Sequence, residues 1–270
     1  MLDISLVGQE MSKSSKNPNS HSRFVLFIYR SFLPYVDLNK FVNSIRGIPG
    51  FLRDLFVYMF RSKSWLINMD LYPILDEKTK FTGVDYHYLY QQLWVFNHVN
   101  KRKPKDHYDV SSTYQMSGYL AGITHAHFID LRPIKADIDN LDLLEGDIEH
   151  LPFKDNSLGS VSCLHVIEHI GLGRYGDKLD VNGPEVACKE LARVIKRGGI
   201  LYLSTPIGRE RICFNAHHVW NPFTILKYFK DFELVEFNMV DDGGKLHRDI
   251  KVKSFKEKEY SLGMFMLKKK

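Results

Sequence analysis

Three observations predict a doubly wound α/β fold. Strand-like apolar runs alternate with helix-like stretches from His107 onward. The clearest runs, Val161-Ser162-Cys163-Leu164 and Ile200-Leu201-Tyr202-Leu203, are mostly apolar rather than alternating, which suits parallel strands buried on both faces. Polar clusters, Gly146-Asp147 and His165 to His169, stand just past such runs, where parallel sheets place their ligands. The expected architecture is a mostly parallel seven-stranded sheet with an antiparallel edge hairpin, preceded by an N-terminal helical extension.

Residues 1–22 are polar and rich in Ser, Asn and Lys, the composition of a disordered tail. Residues 23–105 read as the helical extension. Up to Arg61, apolar clusters alternate with single basic residues, and Pro34, Pro49 and Gly50 divide the stretch into short helices. Two readings compete there. One is a cap packed on the main domain. The other is an amphipathic segment in peripheral contact with an anionic membrane, where Lys/Arg and aromatics are the expected pair. Residues 86–100 lack Gly and Pro and repeat Tyr86, Tyr90, Leu93 and Phe96 at helical spacing, with the aromatics read as core. Pro104 ends that helix, and the basic run Lys101 to Lys105 marks the boundary.

Residues 106–270 form the main domain. Residues 107–111 and 126–130 read as the first two strands, with a short helix over 115–122 between them. Residues 141–145 and 160–164 are the third and fourth. Residues 184–196 make an amphipathic helix with Pro184 in its first turn and Gly198-Gly199 as its cap. Residues 200–204 are the fifth strand, Asn221-Pro222 opens a helix through Tyr228, and residues 232–240 and 263–267 are the last two strands. No helix separates these two, so they pair antiparallel, with residues 241–260 a protruding loop.

Composition narrows the function classes. No apolar run approaches the ~20 residues that cross a bilayer. The polar start lacks a signal-peptide pattern. Cys163, Cys188 and Cys213 make no framework, so a reducing, cytoplasmic protein is expected. Residues 1–65 hold nine Lys/Arg against four Asp/Glu, so the whole +5 net charge lies there and the remainder balances. A charge-balanced main domain argues against nucleic acid, whose sites need clustered Lys/Arg.

Asp109 lies near the end of the first strand, Asp130 ends the second 21 residues later, and Asp147 follows the third. An acid about 20 residues after the first turn is the ribose partner in dinucleotide-type folds, so this layout suits an adenosine moiety. There is no GxxxxGK[ST] or GxGxxG to cradle a polyphosphate. His165-Val166-Ile167-Glu168-His169 spells HxxEH, a zinc-protease pattern that needs both histidines on one helix face. Here it directly follows a strand and runs into Gly171-Leu172-Gly173, so no metal site is assigned.

Gly146-Asp147-Ile148-Glu149-His150-Leu151-Pro152-Phe153, the HVIEHI segment at 165–170 and Val194-Ile195-Lys196-Arg197-Gly198-Gly199 occur in that order. In this the chain resembles the Rossmann-like S-adenosylmethionine-dependent methyltransferases. Thr205-Pro206-Ile207-Gly208-Arg209 and Phe214-Asn215-Ala216-His217 resemble a methyltransferase-like subfamily associated with polysaccharide biosynthesis. The resemblance implies S-adenosylmethionine as cofactor, held by Asp109, Ser111, Gly118, Asp130, Asp147, Ile148 and His165. It implies methyl transfer, by expectation to oxygen, onto a small-molecule or glycan acceptor. Where the family's first loop is glycine-rich, this chain has Ser111-Ser112-Thr113-Tyr114. The alternative is therefore a catalytically inactive scaffold or binding protein in a glycan-biosynthesis assembly, its cleft plugged by Tyr114. Oxygen methylation needs a base near the acceptor hydroxyl, and His165, His169 and His217 are the candidates. Glu168 and His218 are weaker ones, and Arg209 and Arg211 would suit an anionic acceptor.

Overall fold

The computed structural model describes residues 38–61, 71, 73–75, 83–256 and 258–270; the expected tail over 1–22 and the apolar cluster at 24–29 lie outside them. Contacts divide the chain at Gly83/Val84 into two units.

In the first unit, Leu38–Arg61 is one 24-residue helix, α1, that runs through Pro49. The expected break at Pro49-Gly50 does not occur. A proline removes one ladder hydrogen bond and crowds the preceding turn, which kinks a helix more readily than it ends one with many other turns to hold it. Phe41, Ile45, Ile48, Leu52 and Phe56 recur along one stripe of α1, and all are exposed.

The second unit begins with α2, Tyr86–Arg102, capped by Asp85, whose Oδ1 accepts from the backbone N–H groups of His87 and Tyr88 at 3.0 and 3.2 Å. Then come β1 (Asp106–Val110), α3 (Tyr114–Ala121), β2 (His125–Asp130), β3 (Leu141–Glu145), β4 (Leu158–Leu164), α4 (Gly183–Val194) and β5 (Ile195–Ile207). The chain ends with β6 (Arg211–Cys213), β7 (His217–Val219), α5 (Pro222–Tyr228), β8 (Phe232–Val240), β9 (Leu246–His247) and β10 (Ser261–Lys269).

The main sheet has the order β3-β2-β1-β4-β5-β10-β8-β9. The first five strands are parallel and the last three antiparallel, as the sequence predicts for the core and the edge. Each face is covered. Trp94, Val95 and Val99 of α2 and Met116 and Leu120 of α3 pack on one. Ala187, Cys188 and Leu191 of α4 and Ile225 of α5 pack on the other.

Two local readings change, and two features are added. Gly198-Gly199 does not cap α4. Ile195 is already extended, and the pair lies within β5, where the register with β4 shifts between Leu158 and Ser160. Gly198 has φ +73°, and a Cβ on Gly199 would lie 2.8 Å from Lys196 O, so the glycines make a bulge and not a stop. Residues 241–260 do not simply protrude. They add β9 to the sheet edge, giving eight strands, and bury Val252. β6 and β7 form a separate hairpin. The helix α2, read as part of the extension, is bound to the sheet: Ser204 Oγ donates to Gln91 Oε1 and Trp94 Nε1 donates to Glu236 Oε1 at 2.8 Å.

Candidate active site

The carboxyl ends of β1, β2 and β4 open onto two adjoining cavities of about 250 and 530 Å³. The smaller is lined by Ser111, Ser112, Asp130, Ile148 and Val166, among others. The larger is lined by His87, Glu168, Arg174, His217, Asp242 and Tyr260, among others. Tyr88, His165, His169 and Tyr175 line both and form their common wall.

The first loop is built from hydroxyls. Asp109 at the end of β1 is buried, and its Oδ1 accepts from Ser112 Oγ at 2.6 Å and Ser162 Oγ at 2.5 Å, its Oδ2 from Ser117 Oγ at 2.8 Å. Ser112 Oγ also accepts from Leu164 N–H, so the loop is tied to β4 as well as β1. Thr113 caps α3 through Met116 N–H. Burial raises the Asp109 carboxyl to about 6 despite its three donors. Asp109 thus lies beneath the cleft as a brace and is not among the residues lining it.

Ser111 stands where a glycine would ease the turn, and it takes the glycine-like conformation, φ +53°. Its backbone N–H and its Oγ both donate to Ile129 O, at 2.8 and 3.1 Å. Those two bonds hold a serine in the left-handed region that costs most residues ~1–2 kcal/mol. Tyr114 is exposed and lines neither cavity, so it does not plug the cleft.

Asp130 ends β2 at the cavity wall, with Oδ1 accepting from Arg132 N–H at 2.8 Å. Its other oxygen has no hydrogen bond among the described residues. Ile148 is buried and lines the cavity, while the neighbouring Asp147 spends Oδ1 on Glu149 N–H in its own turn and does not line it. Gly118 sits inside α3, away from both cavities; an added Cβ there would meet nothing within 4 Å.

The histidines are positioned by the short 3₁₀ helix Ile167–His169. His165 precedes it with φ +56°, outside any helix, so the HxxEH letters do not form a zinc-binding helical pair. His165 Nδ1 meets Glu168 Oε1 at 2.5 Å, and its buried Nε2 has no hydrogen-bond partner among the described residues. Its ring stacks with those of His87 and Tyr88, at 5.6 and 5.4 Å. Glu168 is fully buried. Burial opposes its charge, but the His165 imidazole and its hydrogen bond outweigh burial and hold the carboxyl below its ordinary value. Its Oε2 accepts from Thr205 Oγ1 at 3.3 Å.

His169 Nδ1 donates to Ala216 O at 2.7 Å, and burial lowers its pKa. His217 lines the larger cavity, where burial lowers it to about 4; His87 is lowered to about 4 for the same reason. His218 turns away, with Nδ1 on Glu168 O at 2.9 Å and its ring on Trp220. Arg209 and Arg211 line neither cavity. Arg209 pairs with Glu259 at 3.3 Å, and Arg211 Nη1 donates to the Arg209 and Glu259 carbonyls.

Arg132 lines the smaller cavity and Arg174 the larger; Arg174 Nη1 donates to Ala216 O, and its guanidinium lies 5.0 Å over Tyr175. The sequence reading missed Arg174, as it missed His87, Tyr88 and Tyr260. Gly171-x-Gly173-Arg174-Tyr175-Gly176-Asp177 carries a usable signal, since Asp177 accepts from the N–H groups of Gly171, Gly173 and Tyr175 and folds the segment into a tight loop at the cleft. His87 and Tyr88 sit on the first turn of a helix whose aromatic spacing reads as core.

Residues 140–269, just under half of the chain, match a family model described as Caenorhabditis protein of unknown function, DUF268. The match takes in His165 to His169 and His217 but not Asp109 or Asp130. No curated protein matches the chain. Among solved structures, a TehB-like SAM-dependent methyltransferase from Corynebacterium glutamicum is similar at 15% identity and a TM-score of 0.44, covering 68% of this chain and 98% of that one. A SAM-dependent methyltransferase from Thermotoga maritima is similar at 15% and 0.42, covering 66% and 92%. The [4+2]-cyclase SpnF is similar at 14% and 0.46, covering 65% and 80%. With TM-scores below 0.5, none of the three fixes an activity for this chain.

Proposed function

We propose that this chain is an S-adenosylmethionine-dependent methyltransferase acting on an oxygen of a small-molecule or carbohydrate acceptor. One observation carries the proposal: His165 lines both cavities, Glu168 holds its Nδ1, and its buried Nε2 is without a hydrogen-bond partner among the described residues. An imidazole whose Nδ1–H is donated to a carboxylate keeps its Nε2 lone pair free to take a proton.

The smaller cavity suits the cofactor's adenosine part. Asp130 offers an oxygen unengaged among the described residues to a ribose diol, and Ile148 and Leu131 offer apolar surface to a flat base. When bound, the cofactor supplies an electrophilic methyl group. The chain's own residues do the rest. His165 takes the acceptor's proton at Nε2, Glu168 steadies the imidazolium that results, and the loop from Ser111 to Ser117 fixes the floor, so that position and orientation lower the barrier.

The larger cavity supports a polar ring-shaped acceptor. His87, Tyr260 and His217 line it with aromatic rings, Tyr260 5.1 Å from His217, and such a lining offers apolar surface to a sugar's C–H groups. Arg174 provides a positive group at the rim. The stripe on α1, flanked by Lys40, Arg46 and Arg53, supports peripheral contact with an anionic membrane. No helix among the described residues is long and apolar enough to cross one.

The inactive-scaffold reading rests on the serines of the first loop. The test that separates the two is transfer of labelled methyl from S-adenosylmethionine to a panel of glycans and glycan precursors. Label incorporated by the wild type and lost in His165→Asn is expected. No transfer by a folded sample that binds the cofactor favours the scaffold.

A further inference from the structure

The opposite end of the sheet carries a second cluster, at the amino ends of β1, β2 and β3. Parallel register sets Asp106 beside His125 and His127 beside Asp142, and the two-residue strand period puts His125 and His127 on one face of β2. Asp106 Oδ1 lies 3.1 Å from His125 Nδ1 and 3.4 Å from His127 Nε2. Asp142 Oδ2 lies against the other nitrogen of each ring, 3.3 Å from His125 Nε2 and 2.9 Å from His127 Nδ1. The His127 ring is fixed further by stacking on Tyr108 at 4.3 Å, and Tyr108 packs edge-on against Phe153.

The proton count makes this arrangement informative. A neutral imidazole has one N–H. Both rings are placed to hydrogen-bond Asp106 Oδ1; with their protons on the outward nitrogens beside Asp142 instead, two lone pairs and a carboxylate oxygen of Asp106 converge with no proton among them. In that protonation state the face would attract a cation. A tetrahedral ion with bonds of ~2.0–2.1 Å needs ligand atoms about 3.3 Å apart, close to the two distances from Asp106 Oδ1. A carboxylate accepting the outward N–H of a ligating histidine is the usual support for such an ion.

We propose that Asp106 Oδ1, His125 Nδ1 and His127 Nε2 form a three-ligand site for a zinc-class divalent transition-metal ion, with Asp142 orienting both imidazoles. Two imidazoles and a carboxylate favour zinc, nickel or copper over magnesium or calcium, which prefer all-oxygen shells. The His125 side chain is 42% exposed and that of Asp106 32%, so a water completes the shell. The ion clips together the first residues of β1 and β2. Because the cleft lies at the strands' other ends, the site is independent of methyl transfer and of the cofactor.

The test is calorimetric titration of the full, untagged, chelator-stripped chain with zinc chloride at pH 7.5, repeated with cobalt(II) to read coordination geometry from its visible spectrum. One equivalent is expected, with the intense visible bands of four-coordinate cobalt. Affinity should drop at least tenfold in Asp106→Asn and in His125→Ala, whose exposed ring can be removed without disturbing the fold, and ~10–100-fold in Asp142→Asn. Zinc should also raise the wild-type melting temperature, and not that of His125→Ala. Absence of stoichiometric binding overturns the proposal. So does one equivalent bound unchanged by these substitutions, which would place the ion among other histidines of the chain's twelve.

Discussion

Glu168 and His165 are three residues apart, and the left-handed backbone at His165 turns its imidazole back so that Nδ1 reaches the Glu168 carboxylate. In the proposed reaction the pair serves as base and orienter, placed by one 3₁₀ turn after β4. Removing the base in His165→Asn should lower the methyl-transfer rate ~10²–10⁴-fold with cofactor affinity within a few-fold of wild type. Glu168→Gln should also lose rate, because an amide holds the imidazolium less well than a carboxylate. Single-turnover assays alongside cofactor titrations check both, and loss of cofactor binding in His165→Asn would instead make His165 a cofactor ligand.

Ser111 carries a left-handed φ without being a glycine. Ser111→Gly should leave cofactor affinity equal or tighter, since glycine adopts that conformation freely. Ser111→Val should weaken cofactor binding and destabilise the fold by ~1–3 kcal/mol, because a β-branched side chain is strained there and the bond to Ile129 O is lost. Thermal melts with and without S-adenosylhomocysteine read both effects.

Asp109 gives a pH signature of defined sign. Burial raises its carboxyl from 3.8 to about 6, so between those values the folded chain holds a proton that the unfolded chain has released. Its contribution is fully present below 3.8 and is lost as pH rises through about 6. His87 and His217, lowered from 6.5 to about 4, act oppositely: the folded chain resists their protonation, and stability falls as pH drops from 6.5 towards 4. Asp109→Ala should cost ~2–4 kcal/mol at pH 7 by stranding three hydroxyls. Urea unfolding across pH 4–7 should show a steeper rise of stability with pH in that variant than in the wild type.

The α1 stripe should bind vesicles. Full-length protein is expected to co-sediment with phosphatidylserine-rich vesicles more than with neutral ones, and less as salt rises. Ile45→Asp/Leu52→Asp should abolish the binding without changing cofactor affinity. Equal partition onto neutral vesicles would argue against the electrostatic part.

The sheet was legible because its signals are local. Leu141–Glu145 and Phe232–Val240 match the sequence reading residue for residue, and Asn221 caps α5 as Asn-Pro predicts. The acid at the end of β2 was legible from its spacing after Asp109, and Asp130 does line the cleft. Asp109 and Asp147 illustrate what spacing cannot reveal. Both stand at strand ends, but hydroxyl donors draw one inward and its own turn engages the other. His87, Tyr88 and Tyr260 were hidden because they reach the site from α2 and the start of β10, through contacts that no sequence period encodes. Gly198-Gly199 misled because a helix cap and a strand bulge ask for the same residue.

The most direct test of the central claim is calorimetric titration of the folded chain with S-adenosylmethionine and S-adenosylhomocysteine, repeated with Asp130→Ala. Binding at micromolar concentration, weakened at least tenfold in the variant, is the predicted result and places the adenosine at the end of β2. No heat of binding in a folded sample, or binding indifferent to Asp130→Ala, would contradict it.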